Sequence, residues 1–141
     1  KDCTIGVDIM TGFPGETEKD FNDTYSLLND LPVSYFHVFP FSEREDTLAA
    51  DMNGTIKLDI RYARAKILRK LSKIKFQKTH EDNMGIVRPV LFEMIDEDIM
   101  SGLSDNYIRV QTKVSSKTKV NEIANVKLLK SNSGIMTGLT L

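Results

Sequence analysis

Residues 4–10 alternate in character, with Ile5, Val7 and Ile9 on one side and Thr4, Gly6, Asp8 and Met10 on the other. That period of two predicts a strand. The first side is branched and aliphatic, suited to packing beneath helices, whereas the second is small or polar and carries a carboxylate, as a strand lining a polar lumen does. Gly12-Phe13-Pro14-Gly15-Glu16-Thr17 reads as a turn, and Thr17-Glu18-Lys19-Asp20 resembles a capping box, so a helix is expected from about Glu18. Phe21, Tyr25, Leu28 and Leu31 keep helical spacing until Pro32 ends the run. Ser34-Tyr35-Phe36-His37-Val38-Phe39, short, aromatic and closed by Pro40, predicts a second buried strand. Strand, helix and strand in this order imply a β-α-β unit with parallel pairing.

Polar loops follow over residues 42–47 and 49–54, at the carboxyl end of the second strand, where parallel sheets usually carry ligand chemistry. A long helix comes next, with an apolar stripe expected at Ile60, Ala63, Ile67, Leu71 and Ile74 and an end before Gly85. Beyond Gly85 the period shortens to five alternating segments, at residues 90–95, 99–103, 107–114, 123–129 and 135–141, separated by turn residues. Five short strands read as a small closed or nearly closed β-barrel, because closure removes exposed edges. The expected fold class is therefore α/β, a β-α-β-α part over residues 1–84 followed by a small all-β barrel over residues 85–141.

Charge is segregated along the chain. Residues 1–56 hold 3 basic and 11 acidic residues, residues 57–79 hold 9 basic residues against Asp59 alone, and residues 80–141 hold 7 basic and 8 acidic. The net charge of -1 thus conceals a strongly basic stretch, which marks either a solvated helix face or a polyanion partner. With 40% hydrophobic and 28% charged residues the composition is that of a globular protein. No apolar run reaches the roughly 20 residues of a membrane span, and no secretory signal is expected at the start. Cys3, the one cysteine, excludes an internal disulfide and a four-thiolate zinc site, and points to a reducing compartment.

Asp8 and Glu16, two carboxylates near the end of one strand, suit a cationic or hydroxyl-bearing ligand, and the P-loop lysine that would cradle a phosphate is missing. His37 and His80 are the only histidines, and no catalytic triad can be assembled from them. Arg44 stands in the loop after the second strand. The basic helix and the later group Arg109, Lys113, Lys117, Lys119, Lys127 and Lys130, with Tyr107 as a stacking ring, fit single-stranded or looped RNA better than a DNA groove.

Val7-Asp8-Ile9-Met10-Thr11-Gly12-Phe13-Pro14-Gly15-Glu16-Thr17, and then His37-Val38-Phe39-Pro40-Phe41-Ser42 with Arg44, Thr47, Ala49 and Ala50, resemble two consecutive segments of the radical S-adenosylmethionine methylthiotransferases. The lysine-rich helix and the terminal barrel resemble that family's linker helix and its OB-like TRAM domain. The resemblance implies the C-terminal part of a radical SAM barrel followed by an RNA-binding domain, from an enzyme that adds a methylthio group to carbon 2 of a modified adenosine beside the tRNA anticodon. The His-Val-Phe-Pro-Phe-Ser form is most similar to the threonylcarbamoyladenosine enzymes, and less so to those acting on isopentenyladenosine or on a ribosomal protein.

Carried over by this resemblance, Asp8, Gly12, Glu16, Phe41 and Arg44 would line the S-adenosylmethionine site, and Arg69, Lys73, Tyr107, Arg109, Lys113, Lys117 and Lys119 would bind the anticodon stem-loop. No residue here is expected to be catalytic or to hold a metal. The family's 4Fe-4S clusters need cysteines that this sequence lacks, so it reads as a fragment of a longer cytoplasmic protein, inactive alone and with no cofactor of its own bound, able to self-associate through the open edge of its partial barrel. The alternatives are a non-catalytic RNA-binding module and a methylthiotransferase acting on ribosomal protein S12. Neither DNA nor a membrane is an expected partner.

Overall fold

Glycine, β-branched residues and a run of helix formers sort themselves into nine elements in the computed structural model, which describes residues 3–114 and 118–141. They fall into two compact units, Ile5–Lys75 and Phe76–Leu141, the latter joined by Cys3 and Thr4. Among the described residues no helix is long and apolar enough to cross a membrane.

The first unit opens with β1 (Gly6–Thr11), α1 (Glu18–Asp30) and β2 (Tyr35–Pro40), and takes in the first five turns of α2 (Leu58–Asn83). β1 and β2 pair in parallel, with Gly6 opposite Tyr35, Asp8 opposite His37 and Met10 opposite Phe39. The predicted capping box is present: the Asp20 amide donates to the Thr17 hydroxyl oxygen at 3.2 Å, and the Thr17 amide donates to the Asp20 carboxylate at 2.9 Å. Hydrogen bonds from the Thr17 hydroxyl and amide hold the Asp20 carboxyl below its ordinary value. Val7 and Ile9 face the core as the alternation predicts, against Phe21, Leu28, Phe36, Val38, Ala65, Leu68 and Leu71.

α2 buries a different stripe from the predicted one. Arg61, Ala65, Leu68, Leu71 and Ser72 are buried, whereas Ile60, Ala63, Ile67 and Ile74 are exposed; of the expected five only Leu71 is in the core. The helix is rotated so that Ser72 reaches backbone groups of the sheet and Arg61 reaches those of the loops at Phe41 and Ile56. Ser72 Oγ accepts from the Phe36 amide at 2.8 Å and donates to the Phe36 carbonyl at 3.2 Å, and Arg69 donates to the Val38 carbonyl at 2.9 Å. Helix side chains thereby cap β2 backbone groups that no strand among the described residues meets.

The second unit is a closed five-stranded barrel of β3 (Val87–Asp96), β4 (Ile99–Ser104), β5 (Arg109–Lys113), β6 (Ile123–Asn132) and β7 (Ile135–Thr140), in the order β3-β4-β5-β7-β6. All neighbours are antiparallel except β5 and β7. Val90, Phe92, Met100, Ile108, Val110, Val126, Leu128 and Met136 fill it. Register shifts between Phe92 and Met94 and between Leu128 and Lys130 bend the two longest strands, as closure of so few strands requires. This closed barrel is compatible with an OB-like TRAM domain. One expected strand starts later: Tyr107, placed by its sequence in a strand over 107–114, sits in the preceding turn at φ 62°, its amide donating to the Ser104 carbonyl at 2.9 Å, and β5 begins at Arg109.

Candidate cofactor wall and nucleic-acid interface

The two faces of the β1–β2 layer differ as their sequences do. One is buried beneath the helices; on the other, Gly6, Asp8 and Met10 of β1 lie beside Tyr35, His37 and Phe39 of β2, and all but the half-buried Tyr35 are exposed. Asp8 therefore stands on an open face with His37 at its register position, and the His37 ring meets that of Tyr35 edge-on at 5.2 Å.

The glycine turn at the end of β1 is held from within. Glu16 Oε2 accepts from the Gly12 amide at 2.6 Å and from Arg64 at 2.5 Å, while Arg64 also donates to the Glu16 carbonyl at 3.1 Å. Arg64 and Glu16 are both largely buried, and the guanidinium lies over the Phe21 ring at 5.4 Å. Glu16 is thus the strut of the turn. Gly12, at φ 74°, lies so close to Arg61 that a Cβ would overlap that side chain. The Gly15 amide donates to the Gly54 carbonyl at 2.9 Å, fastening the turn to the loop ahead of α2.

Arg61 organises the loop after β2. Its guanidinium donates to the Ile56 carbonyl at 2.7 Å, to the Phe41 carbonyl at 2.9 Å, and to both Glu43 oxygens at 3.1 and 2.5 Å. The Arg61 hydrogen bonds, followed by one from the Glu43 amide, hold the Glu43 carboxyl down at about 2, and the same pair raises the Arg61 value. Phe41 is buried, edge-on to Phe13 at 5.3 Å and beneath the Arg61 guanidinium at 5.3 Å. Arg44 is exposed, and its carbonyl accepts from the Thr47 hydroxyl at 2.8 Å.

On the barrel, Tyr107 is 76% exposed at the tip of its turn, and Arg109, Lys113 and Lys119 are exposed. A left-handed φ at a bulky residue costs free energy, so the turn holds this ring outward against a local preference. Arg109 faces Glu93 at 3.6 Å. Lys117 lies outside the described residues. Arg69 and Lys73 are exposed on α2, in the first unit. His80 belongs to neither set: it is buried, with Nδ1 2.7 Å from Ser131 Oγ, and burial lowers its pKa. No three His, Cys, Asp or Glu residues gather to hold a metal among the described residues, so a thiolate-held cluster does not fit this chain's own donors.

Sequence comparison decides the family. The chain is 37% identical over 108 residues to the threonylcarbamoyladenosine tRNA methylthiotransferase MtaB of Aquifex aeolicus, a match covering 77% of this chain and 25% of that protein. It is 32% identical over 129 residues to the protein of the same name from Bacillus subtilis, covering 88% of this chain and 28% of the relative. The chain belongs to the methylthiotransferase family. A tRNA-2-methylthio-N(6)-dimethylallyladenosine synthase of Sulfurimonas denitrificans is 28% identical over 138 residues, 97% of this chain and 32% of that protein. The chain therefore spans a quarter to a third of the length of these relatives. No family model matches it.

Arg61 and Arg64, which brace the loops and the turn of the candidate site, are not singled out by the sequence. Both belong to the basic stretch over residues 57–79, and no periodicity distinguishes them. The one available signal is their position in the first two turns of a helix whose preceding loops end beside the strand termini.

Proposed function

We propose that this chain is the C-terminal segment of a radical SAM tRNA methylthiotransferase acting on threonylcarbamoyladenosine, with residues 1–84 completing the cofactor barrel and residues 85–141 forming the TRAM domain. One observation carries this reading: a two-stranded parallel layer with one face sealed under helices and the other left open around Asp8, beside a turn braced by Glu16 and Arg64. Asp8 and the Gly12 turn would meet S-adenosylmethionine, whose amino and ribose hydroxyl groups suit a carboxylate; Arg44 would stand at the rim, and Glu16 and Phe41 would support the wall from behind. Bound there, the cofactor supplies the radical chemistry, with its cluster held by cysteines elsewhere in the longer protein.

Arg69, Lys73, Tyr107, Arg109, Lys113, Lys117 and Lys119 would hold the anticodon stem-loop through phosphate contacts and one stacked base. The threonylcarbamoyl substrate is favoured by the string from His37 to Ser42 and by relatives that carry that substrate in their names. The test is Asp8→Asn in the complete methylthiotransferase. Asp8 is exposed, so the substitution leaves the fold intact, and it is expected to weaken S-adenosylmethionine binding about tenfold while stem-loop affinity stays unchanged. Unchanged cofactor affinity and turnover would overturn the wall assignment. Methylthiolation of a dimethylallyladenosine tRNA or of a ribosomal protein in place of the threonylcarbamoyl substrate would overturn the substrate.

A further inference from the structure

One exposed face of α2 sets Tyr62, Lys66, Ile67, Arg69, Lys70 and Lys73 side by side. Tyr62, Lys66, Arg69 and Lys73 follow i, i+4, i+7 and i+11 spacing, so they share one face, with Ile67 and Lys70 alongside. Tyr62 is 57% exposed and Ile67 46% exposed. Half-exposed apolar side chains on a helix are ordinary by themselves. Their frame is not, because four cations and no acid surround them.

The lysines are also uncommitted. Lys19 and Lys78 elsewhere on helices each pair with a carboxylate one turn away, whereas Lys66, Lys70 and Lys73 have no carboxylate partner among the described residues. Arg69 is anchored to the Val38 carbonyl, which fixes one cation on this face. An apolar peptide seated here would dehydrate the cations without compensating them. A flat, unstacked nucleobase suits the ring, and the phosphates on either side of it suit the lysines, since Lys66 and Lys70 are about 6 Å apart along the helix axis.

We infer that this face of α2 seats one unstacked base of the tRNA, with Tyr62 stacking on it and Lys66, Lys70 and Lys73 holding the flanking phosphates. The inference rests on tRNA being the partner and adds Tyr62, Lys66 and Lys70 to the Arg69 and Lys73 contacts proposed on the same helix. It predicts two separable energetic signatures: stacking, which salt scarcely touches, and counterion release, which salt weakens.

The test measures binding of an anticodon stem-loop RNA to the full 141-residue chain by fluorescence anisotropy, at about 50 and about 200 mM salt. Tyr62→Leu is expected to lose about tenfold in affinity with an unchanged salt slope, and Tyr62→Phe to stay within about twofold of wild type. The Lys66→Gln/Lys70→Gln double variant should have a slope shallower by about 1.4. Tyr25→Leu, at an exposed ring on α1, serves as a control and should bind as wild type does. Wild-type affinity in Tyr62→Leu, or an equal loss in Tyr62→Phe, would overturn the stacking seat while leaving the tRNA reading in place. Failure of the wild-type chain to bind the RNA at either salt would overturn both.

Discussion

A buried guanidinium brings five N–H donors out of water, and each must find an acceptor or cost free energy. Arg61 is 2% exposed and gives its hydrogen bonds to two backbone carbonyls and a bidentate carboxylate, drawing the loops at residues 41–43 and 56 onto the end of β1. Arg61→Met, which keeps the side chain's length and loses its donors, is expected to destabilise the fold by about 3 kcal/mol in urea unfolding. Arg61→Lys should recover only a part of that, because an ammonium cannot reproduce the fork. Removing Glu43 is also costly, because it leaves the buried guanidinium without its carboxylate and with donors unpaired. Its titration gives a sharper readout. The Glu43 carboxyl is held at about 2 against an ordinary 4.5, so its contribution to stability is complete above about pH 4.5 and is lost as the pH falls toward 2. Thermal melts at about pH 5 and about pH 3 should show a fall in Tm for wild type that is smaller in Glu43→Gln.

At the scale of the element, the capping box, the parallel strand pair and the five barrel strands were all legible, because each rests on a local pattern: Thr17 with Asp20, or the alternation from Ile123 to Leu129. The stripe of α2 was not. Isoleucines at 60, 67 and 74 recur every seven residues and outrank an arginine on any hydrophobic scale, yet the helix turns them toward solvent and buries Arg61 and Ser72. Those two are worth burying only because the Phe41 and Ile56 carbonyls, the Phe36 peptide and Glu43 wait for them, and these partners are 5 to 36 positions away in sequence. The two assignments are separable by mutation. Leu68→Ala is expected to cost about 3 kcal/mol in urea unfolding, and Ile74→Gln within about 0.5 kcal/mol of nothing. The reverse order would restore the stripe drawn from hydrophobicity alone. The candidate site divides the same way: Asp8, Gly12 and Glu16 are visible in one short string, whereas Arg64, which braces Glu16, comes from 48 residues away.

At the scale of the molecule, two separate hydrophobic clusters hold two differently protected sheets. The barrel closes on itself and buries eight core side chains completely. The β1–β2 layer has two strands, one sealed face and one open one. Amide hydrogen exchange under native conditions should therefore be slower in β3, β4 and β6 than in β1, because small sheets open locally at low cost and closed barrels do not. Equal protection factors in β1 and β4 would show that the open layer is as cooperative as the barrel.

The capping of β2 by Ser72 and Arg69 has a directional result. Helix side chains occupy that margin of the layer, while the far margin of β1 meets no strand among the described residues. Growth of the sheet is consequently one-way: a further strand, whether from a longer polypeptide or from another copy, can add beside β1 without first dislodging a helix.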